Sequence, residues 1–128
     1  YGHNFVKTML RLGTERATLN VVFDQIGTPT YARDLAQALL PLIEQHLGTF
    51  EGIYHYSNEG VCSWYDFAHA IFELKNYSCQ LSPIPTTAYP TPAQRPPYSV
   101  LDKAKIKTTF GLSIPHWRDS LAVCLEGL

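Results

Sequence analysis

Basic excess is the first thing this sequence lacks. Its 128 residues carry 10 Lys and Arg against 11 Asp and Glu, a formal net charge of −1. Such a surface does not neutralise a phosphate backbone, so general nucleic-acid binding is excluded as a class, while a local phosphate site, needing one or two cations, stays open. Long apolar runs are missing as well. No stretch nears the roughly 20 residues of a membrane span, and no basic-plus-apolar leader opens the chain. Cysteine is scarce: Cys62, Cys79 and Cys124 are odd in number and form no C-x-x-C pair. That pattern reads as reduced thiols in a cytoplasmic protein rather than as a disulfide framework. Methionine is scarcer still. The chain starts at Tyr1 and its one methionine, Met9, lies inside an apolar helical pattern. The expectation is a piece of a longer protein, with a processed mature chain as the alternative.

Several catalytic signatures are absent too. There is no glycine-rich G-x-x-G-x-x-G turn, no P-loop and no G-x-S-x-G nucleophile elbow, which removes the common nucleotide cradles and the serine-hydrolase reading. No tyrosine is followed four residues later by a lysine; the nearest pair, Tyr98 and Lys103, is five apart. His55, Cys62 and His69 recur every seven residues, a spacing unlike the clustered ligands of a zinc site, and read as ordinary core or surface residues. No metal site is expected.

What is present is an ordinary globular composition, 45% hydrophobic and 16% charged, long enough for one core and one domain over residues 1–128. Residues 4–16 carry Phe5, Met9 and Leu12 on one helical face, with Asn4 as N-cap and Gly13 weakening the last turn. Residues 19–23 form a short β-branched strand. The helix expected over 31–46 places Leu35, Leu39, Leu42 and Ile43 in a stripe, with Pro41 predicting a kink or break. A second strand is expected over 52–57. Next, Ser63 and Asp66 make a capping box for a helix facing the core with Phe67, Ile71 and Leu74. Pro83 makes the strand at 80–84 an edge. Residues 85–97 hold five of the nine prolines and are expected to run extended. Asp102 is expected to cap a short helix over 103–109 that Gly111 closes, and Pro115 to open the last helix. Alternating short strands and helices give an α/β chain, α+β-like, with a small sheet and several helices.

Three features are candidates for function. The loop 24–30, DQIGTPT, offers Asp24 and the amide of Gln25, with Gly27 and Pro29 shaping the turn and Thr30 placed to cap the helix behind it. A plain connection explains it equally well. Arg95 stands alone among stiff prolines, where a planar guanidinium suits a phosphate or carboxylate; a surface ion pair is the competing reading. Asn4 and Phe5 open a helix whose free N–H groups favour anions, although a simple cap accounts for Asn4.

The segments NFVKTMLRL, VVFDQIGTPTYARDLA, GIYHYSNEGVCSWYDFAHAIF, RPPYSVLD and TTFGL followed by HWRDSL occur in this order in the dTDP-4-dehydrorhamnose reductases, extended short-chain dehydrogenase/reductases. Over nearly its whole length the chain resembles their C-terminal substrate-binding part, and the pairing of D-Q-x-G-x-P-T with S-N-x-G-x-x-S-W-Y-D-F-A is the most specific element. The resemblance implies a Rossmann domain upstream that binds NADPH or NADH. It also implies an upstream Tyr-x-x-x-Lys pair with a Ser or Thr, which reduces the 4-keto group of dTDP-4-dehydro-L-rhamnose to give dTDP-L-rhamnose. No catalytic or cofactor residue is expected in these 128 residues, which alone would be inactive. The substrate residues it implies are Asn4 and Phe5 at the floor of the sugar-nucleotide cleft, Gln25 lining it, and Arg95 toward the diphosphate. Phe23 stands where the family often has a small or acidic residue. The resemblance points to a cytoplasmic protein with a dTDP-sugar as partner, no nucleic acid and no membrane, and leaves a homodimer open for the full-length protein. Three alternatives remain: a non-catalytic regulatory subunit like the partner of methionine adenosyltransferase, another sugar-nucleotide reductase or epimerase, and a free-standing binding module.

Overall fold

The computed structural model describes residues 2–46 and 51–128. These form five α-helices and two small sheets, α1 Phe5–Glu15, β1 Thr18–Val22, β2 Ile26–Gly27, α2 Ala32–His46, β3 Cys62–Ser63, α3 Trp64–Lys75, β4 Gln80–Ile84, α4 Ala104–Phe110 and α5 Trp117–Glu126. The mixed α/β class expected from the alternation of apolar periods is what forms. The chain divides into two compact units, residues 1–27 with 62–99, and residues 28–61 with 100–128.

In the first unit, β1 and β4 pair in parallel, Thr18 opposite Gln80 through Val22 opposite Ile84. Pro83 faces Val21 from a strand with a single ladder partner, which is where a residue without an N–H can sit. The second sheet is minimal: β2 and β3 run antiparallel, Ile26 against Ser63 and Gly27 against Cys62. Helix α3 supplies the core. Its capping box is complete, with the Ser63 hydroxyl accepting from the Asp66 amide at 3.0 Å and the Asp66 carboxylate accepting from the Ser63 amide at 2.9 Å. Phe67, Ala68, Ala70, Ile71 and Phe72 are buried behind it. Each large apolar side chain so buried contributes about 1.5–3 kcal/mol. Leu74, expected in that face, is exposed instead, because Ala70 and Phe72 turn the buried stripe away from it.

Helix α1 starts as expected, with the Asn4 side chain accepting from the Lys7 amide at 2.9 Å. Gly13, however, is more than a weak point of the last turn. A Cβ there would lie 2.4 Å from Cδ2 of Tyr77, so the missing side chain is the room the Tyr77 ring occupies, edge-on to Phe72.

In the second unit, α2 continues through Pro41 to His46 without breaking. Leu35 and Leu42 are half-buried, whereas Leu39 and Ile43 of the expected stripe are exposed. Residues 52–57 form no strand. Among the described residues they meet no ladder partner, and a β-strand exists only by pairing. Their groups go to side chains instead: Lys105 Nζ donates to the Ile53 carbonyl at 3.0 Å and lies 4.4 Å from the centre of the Tyr54 ring. Helix α4 begins at Ala104 with the Asp102 carboxylate accepting from its amide at 2.8 Å, and ends at Gly111 with φ +64. Helix α5 starts at Trp117, two residues later than Pro115, because the imidazole of His116 takes the capping role and accepts from the Arg118 amide at 3.2 Å.

Asn58 is the buried hub of this unit, fully closed off from solvent. Its Oδ1 accepts from the Tyr31 amide at 2.9 Å. Its Nδ2 faces the Asp34 carboxylate at 2.6 Å, the Ser120 hydroxyl at 2.9 Å and the Pro115 carbonyl at 3.1 Å. Two N–H bonds serve three acceptors, so one is shared. Its own carbonyl accepts from the buried Lys103 ammonium at 2.9 Å. The helix expected to be capped by Thr30 therefore begins differently: Tyr31 is tethered by Asn58, and the Thr30 hydroxyl reaches back to the Thr28 carbonyl at 3.4 Å.

Candidate functional site

Parallel strands deliver their carboxyl ends to one edge, and in open α/β sheets that edge is where ligands bind. Here β1 runs out into Phe23, Asp24 and Gln25, and β4 runs out into Pro85 and Thr86. The two exits are tied together. The Asp24 carboxylate accepts from the Thr86 amide at 2.9 and 3.0 Å and from the Thr86 hydroxyl at 2.6 Å. These bonds, the hydroxyl first and the amide next, hold the Asp24 carboxyl below its ordinary value, since both favour the charged form. Pro85 precedes a single 3-10 turn over Thr86–Ala88, so the proline-rich stretch is not extended from its start as expected. The Asp24 bond to the Thr86 amide is the physical reason, because it tethers the first turn where the strand lets go.

From Thr86 the network continues in one direction. Gln25 Nε2 donates to the Thr86 hydroxyl at 3.1 Å, and Gln25 Oε1 accepts from the indole Nε1 of Trp64 at 3.1 Å. Polarity is unambiguous. Trp can only donate and a carboxylate can only accept, so the Gln25 amide and the Thr86 hydroxyl have one orientation each. Trp64 in turn packs on Phe5, ring centres 4.8 Å apart, and Phe5 stacks on Phe67 at 5.5 Å.

Of the four residues singled out in the sequence, Phe5 and Gln25 therefore meet in one cluster through Trp64, with Asn4 next to Phe5 in the chain. Asn4 caps α1 beside Phe5, Phe5 packs on Trp64, and Trp64 bonds to Gln25. Among the described residues, the Asn4 side-chain amide nitrogen and one N–H of Gln25 meet no acceptor. Arg95 is not brought into this cluster by any contact of its own. It is exposed and makes no ion pair among the described residues. Its backbone is nonetheless fastened close by, because the Ile26 amide donates to the Pro97 carbonyl at 2.8 Å and the Ser99 amide donates to the Ile26 carbonyl at 2.9 Å. Residues 24–26 thus anchor both ends of the proline-rich segment, at Thr86 and at Pro97–Ser99.

Sequence reasoning passed over Trp64 and Thr86 as site residues. Trp64 reads as core because it follows a capping box and sits among apolar residues, and Thr86 reads as turn. The signal that could have found Trp64 was an aromatic at the first position of the helix, on the solvent side of the Phe67–Ile71 stripe.

The second unit holds a separate cleft of about 370 Å³, lined by Glu59, Val61, Val100, Asp102, Lys103 and Lys107 among others. Lys107 at 2.7 Å and Lys103 at 3.3 Å hold the Glu59 carboxyl below its ordinary value. None of Asn4, Phe5, Gln25 and Arg95 lines it. Cys62 is buried at β3, and burial, with Asp66 second, pushes its thiol up to about 12. Among the described residues no helix is long and apolar enough to cross a membrane, and no group of three or more His, Cys, Asp and Glu gathers as a metal site.

An α/β binding module with a polar lip at the carboxyl ends of two parallel strands is the class these observations define. The chain belongs to the RmlD substrate binding domain family, whose model matches residues 1–128. It is 43% identical over 98% of its length to the spore coat polysaccharide biosynthesis protein SpsK of Bacillus subtilis. It is 45% identical over 94% of its length to the dTDP-4-dehydrorhamnose reductase of Aggregatibacter actinomycetemcomitans. The crystal structure of the Bacillus anthracis dTDP-4-dehydrorhamnose reductase in complex with NADP superposes on the whole chain with a TM-score of 0.93 at 40% identity. The chain spans 44% of the length of each of these proteins.

Proposed function

We propose that this chain is the substrate-binding domain, over residues 1–128, of a dTDP-4-dehydrorhamnose reductase in the cytoplasm. Such an enzyme reduces dTDP-4-dehydro-L-rhamnose to dTDP-L-rhamnose in dTDP-rhamnose biosynthesis. The observation that carries the reading is the family match along the entire chain, with reductases of that name about 40% identical over nearly all of it. The regulatory-subunit and epimerase alternatives draw no support from relatives bearing these names.

In this reading the chain binds and orients the sugar nucleotide. Asn4 presents its free amide at the start of α1, Gln25 its remaining N–H, Phe5 supports the cluster from beneath, and Arg95 pairs with the diphosphate. The hydride comes from NADPH or NADH. No residue of this chain is assigned to that cofactor. The connection from β1 to α2 has a single glycine, Gly27, whose close neighbour is the Ser99 hydroxyl, in place of the glycine-rich turn that lets a backbone approach a pyrophosphate.

The experiment is Arg95→Ala in the full-length reductase that carries this chain. Loss of a charge-assisted hydrogen bond to phosphate costs about 1–3 kcal/mol, so KM for the nucleotide sugar should rise roughly 5- to 150-fold with kcat little changed. The 128-residue chain alone should show no NADPH oxidation with the keto sugar. An unchanged KM removes Arg95 from the site, and turnover by the chain alone overturns the reading.

A further inference from the structure

Resting on that reading, we infer that Trp64 is the platform on which the flat, uncharged base of the nucleotide stacks, held in place by the Asp24–Thr86–Gln25 hydrogen-bond relay. Trp64 is 36% exposed although it belongs to a helix whose next turns are buried. An exposed indole is ordinarily free to turn about its χ angles. This one is held at its edge by the Gln25 carbonyl at 3.1 Å and against Phe5 at 4.8 Å. The relay behind it is long-range, with partners 39, 61 and 62 residues apart, and joins the ends of both parallel strands to the indole. A side chain so pre-oriented loses little entropy when a second ring is laid on it.

The chemistry of the relay selects which part of the ligand fits. Its donors and acceptors are spent mostly on one another: the Trp64 N–H, the Gln25 carbonyl, one Gln25 N–H and the Thr86 hydroxyl are all engaged. A sugar ring brings several hydroxyl groups that each need a partner, and burying them unpaired is costly. A pyrimidine base offers a π face and needs no hydrogen bond to stack. The diphosphate is disfavoured beside the indole because the relay terminates in the Asp24 carboxylate. Arg95 belongs to the segment fastened at Pro97 and is the cation available to the phosphates.

The probes are thymidine, dTDP, inorganic pyrophosphate and L-rhamnose, titrated against the full chain by calorimetry and by tryptophan emission. Thymidine and dTDP should both quench emission, and Trp64→Phe should abolish the quenching while keeping a π face and most of the affinity. Trp64→Ala should weaken thymidine about ten-fold, the scale of one base–aromatic stack, and leave pyrophosphate unchanged. Thr86→Val, which removes the relay hydroxyl at constant size, should also weaken thymidine, by less. If Trp64→Ala does not fold, Trp64→Phe and Thr86→Val carry the test. If dTDP binds but thymidine affinity is unchanged in Thr86→Val and in a folded Trp64→Ala, or if quenching survives Trp64→Phe, or if L-rhamnose or pyrophosphate weakens in its place, stacking on Trp64 is refuted while the dTDP-sugar reading stands. If dTDP does not bind the chain, both fall.

Discussion

Replacing Asn58 by alanine removes the most connected buried side chain of the second unit. The wild-type residue is closed to solvent and bonds to Tyr31, Asp34, Pro115 and Ser120. Asp34 and Ser120 still satisfy each other, since the Ser120 hydroxyl donates to the Asp34 carboxylate at 2.5 Å. The Pro115 carbonyl keeps the Glu59 amide, which donates to it at 2.9 Å, whereas the Tyr31 amide loses the acceptor that Asn58 supplied. An orphaned buried polar group costs about 1–3 kcal/mol, and one such group is left, so the loss is about 1–3 kcal/mol. Against the 5–15 kcal/mol typical of a domain, that is a large fraction. The assay is urea unfolding followed by circular dichroism, reading the midpoint at unchanged slope. Asn58→Asp gives a second reading at the same shape. It sets a carboxylate against Asp34, so one of the two pKa values is forced up, and the variant should regain stability as pH falls through that raised value. A loss under about 1 kcal/mol in Asn58→Ala would refute the hub argument.

Three other outcomes are expected. Gly13→Ala should destabilise despite the roughly 1 kcal/mol that alanine gains over glycine in a helix, because its Cβ meets the Tyr77 ring at 2.4 Å; a higher melting temperature would contradict this. Thr86→Val should raise the Asp24 pKa toward its ordinary 3.8. Because the folded value is depressed, the relay's stabilisation is present above 3.8 and fades as pH drops through the folded value. The stability gap between wild type and variant should therefore close in acid, and a gap constant with pH would count against it. Cys62, pushed up to about 12 from 9.0, should have about a thousandth of the thiolate of a free cysteine and react with a disulfide reagent only on unfolding; rapid labelling of the folded chain at Cys62 would contradict its burial.

Most of the local structure could be read from the sequence because its causes are local. Asn4 and Lys7, and Ser63 and Asp66, lie three residues apart, and those two helix starts followed from them, whereas the N-cap of α4 is Lys103, one position after the expected Asp102, whose carboxylate accepts from the Ala104 amide. The missing strand at 52–57 shows the limit of such reading. Its Ile53, Tyr54 and Tyr56 suit a strand, but pairing is decided by what lies alongside. Gly13 makes the same point: the sequence shows a poor helix former, and only the packed Tyr77 ring shows why no side chain fits.

The motif D-Q-x-G-x-P-T divides along this line. By itself the sequence determined that a turn lies between a strand and a helix and that the chain resembles a known substrate-binding part. Only the tertiary structure decided what each residue of the turn does. Asp24 anchors Thr86, Gln25 spends most of its amide between Thr86 and Trp64, Ile26 is paired on both sides, and the Thr28 hydroxyl donates to the Gly60 carbonyl. Partners such as Trp64 and Thr86 lie 39 to 62 residues away, and a hydrogen bond is a matter of ångströms in space, which spacing along a chain does not encode.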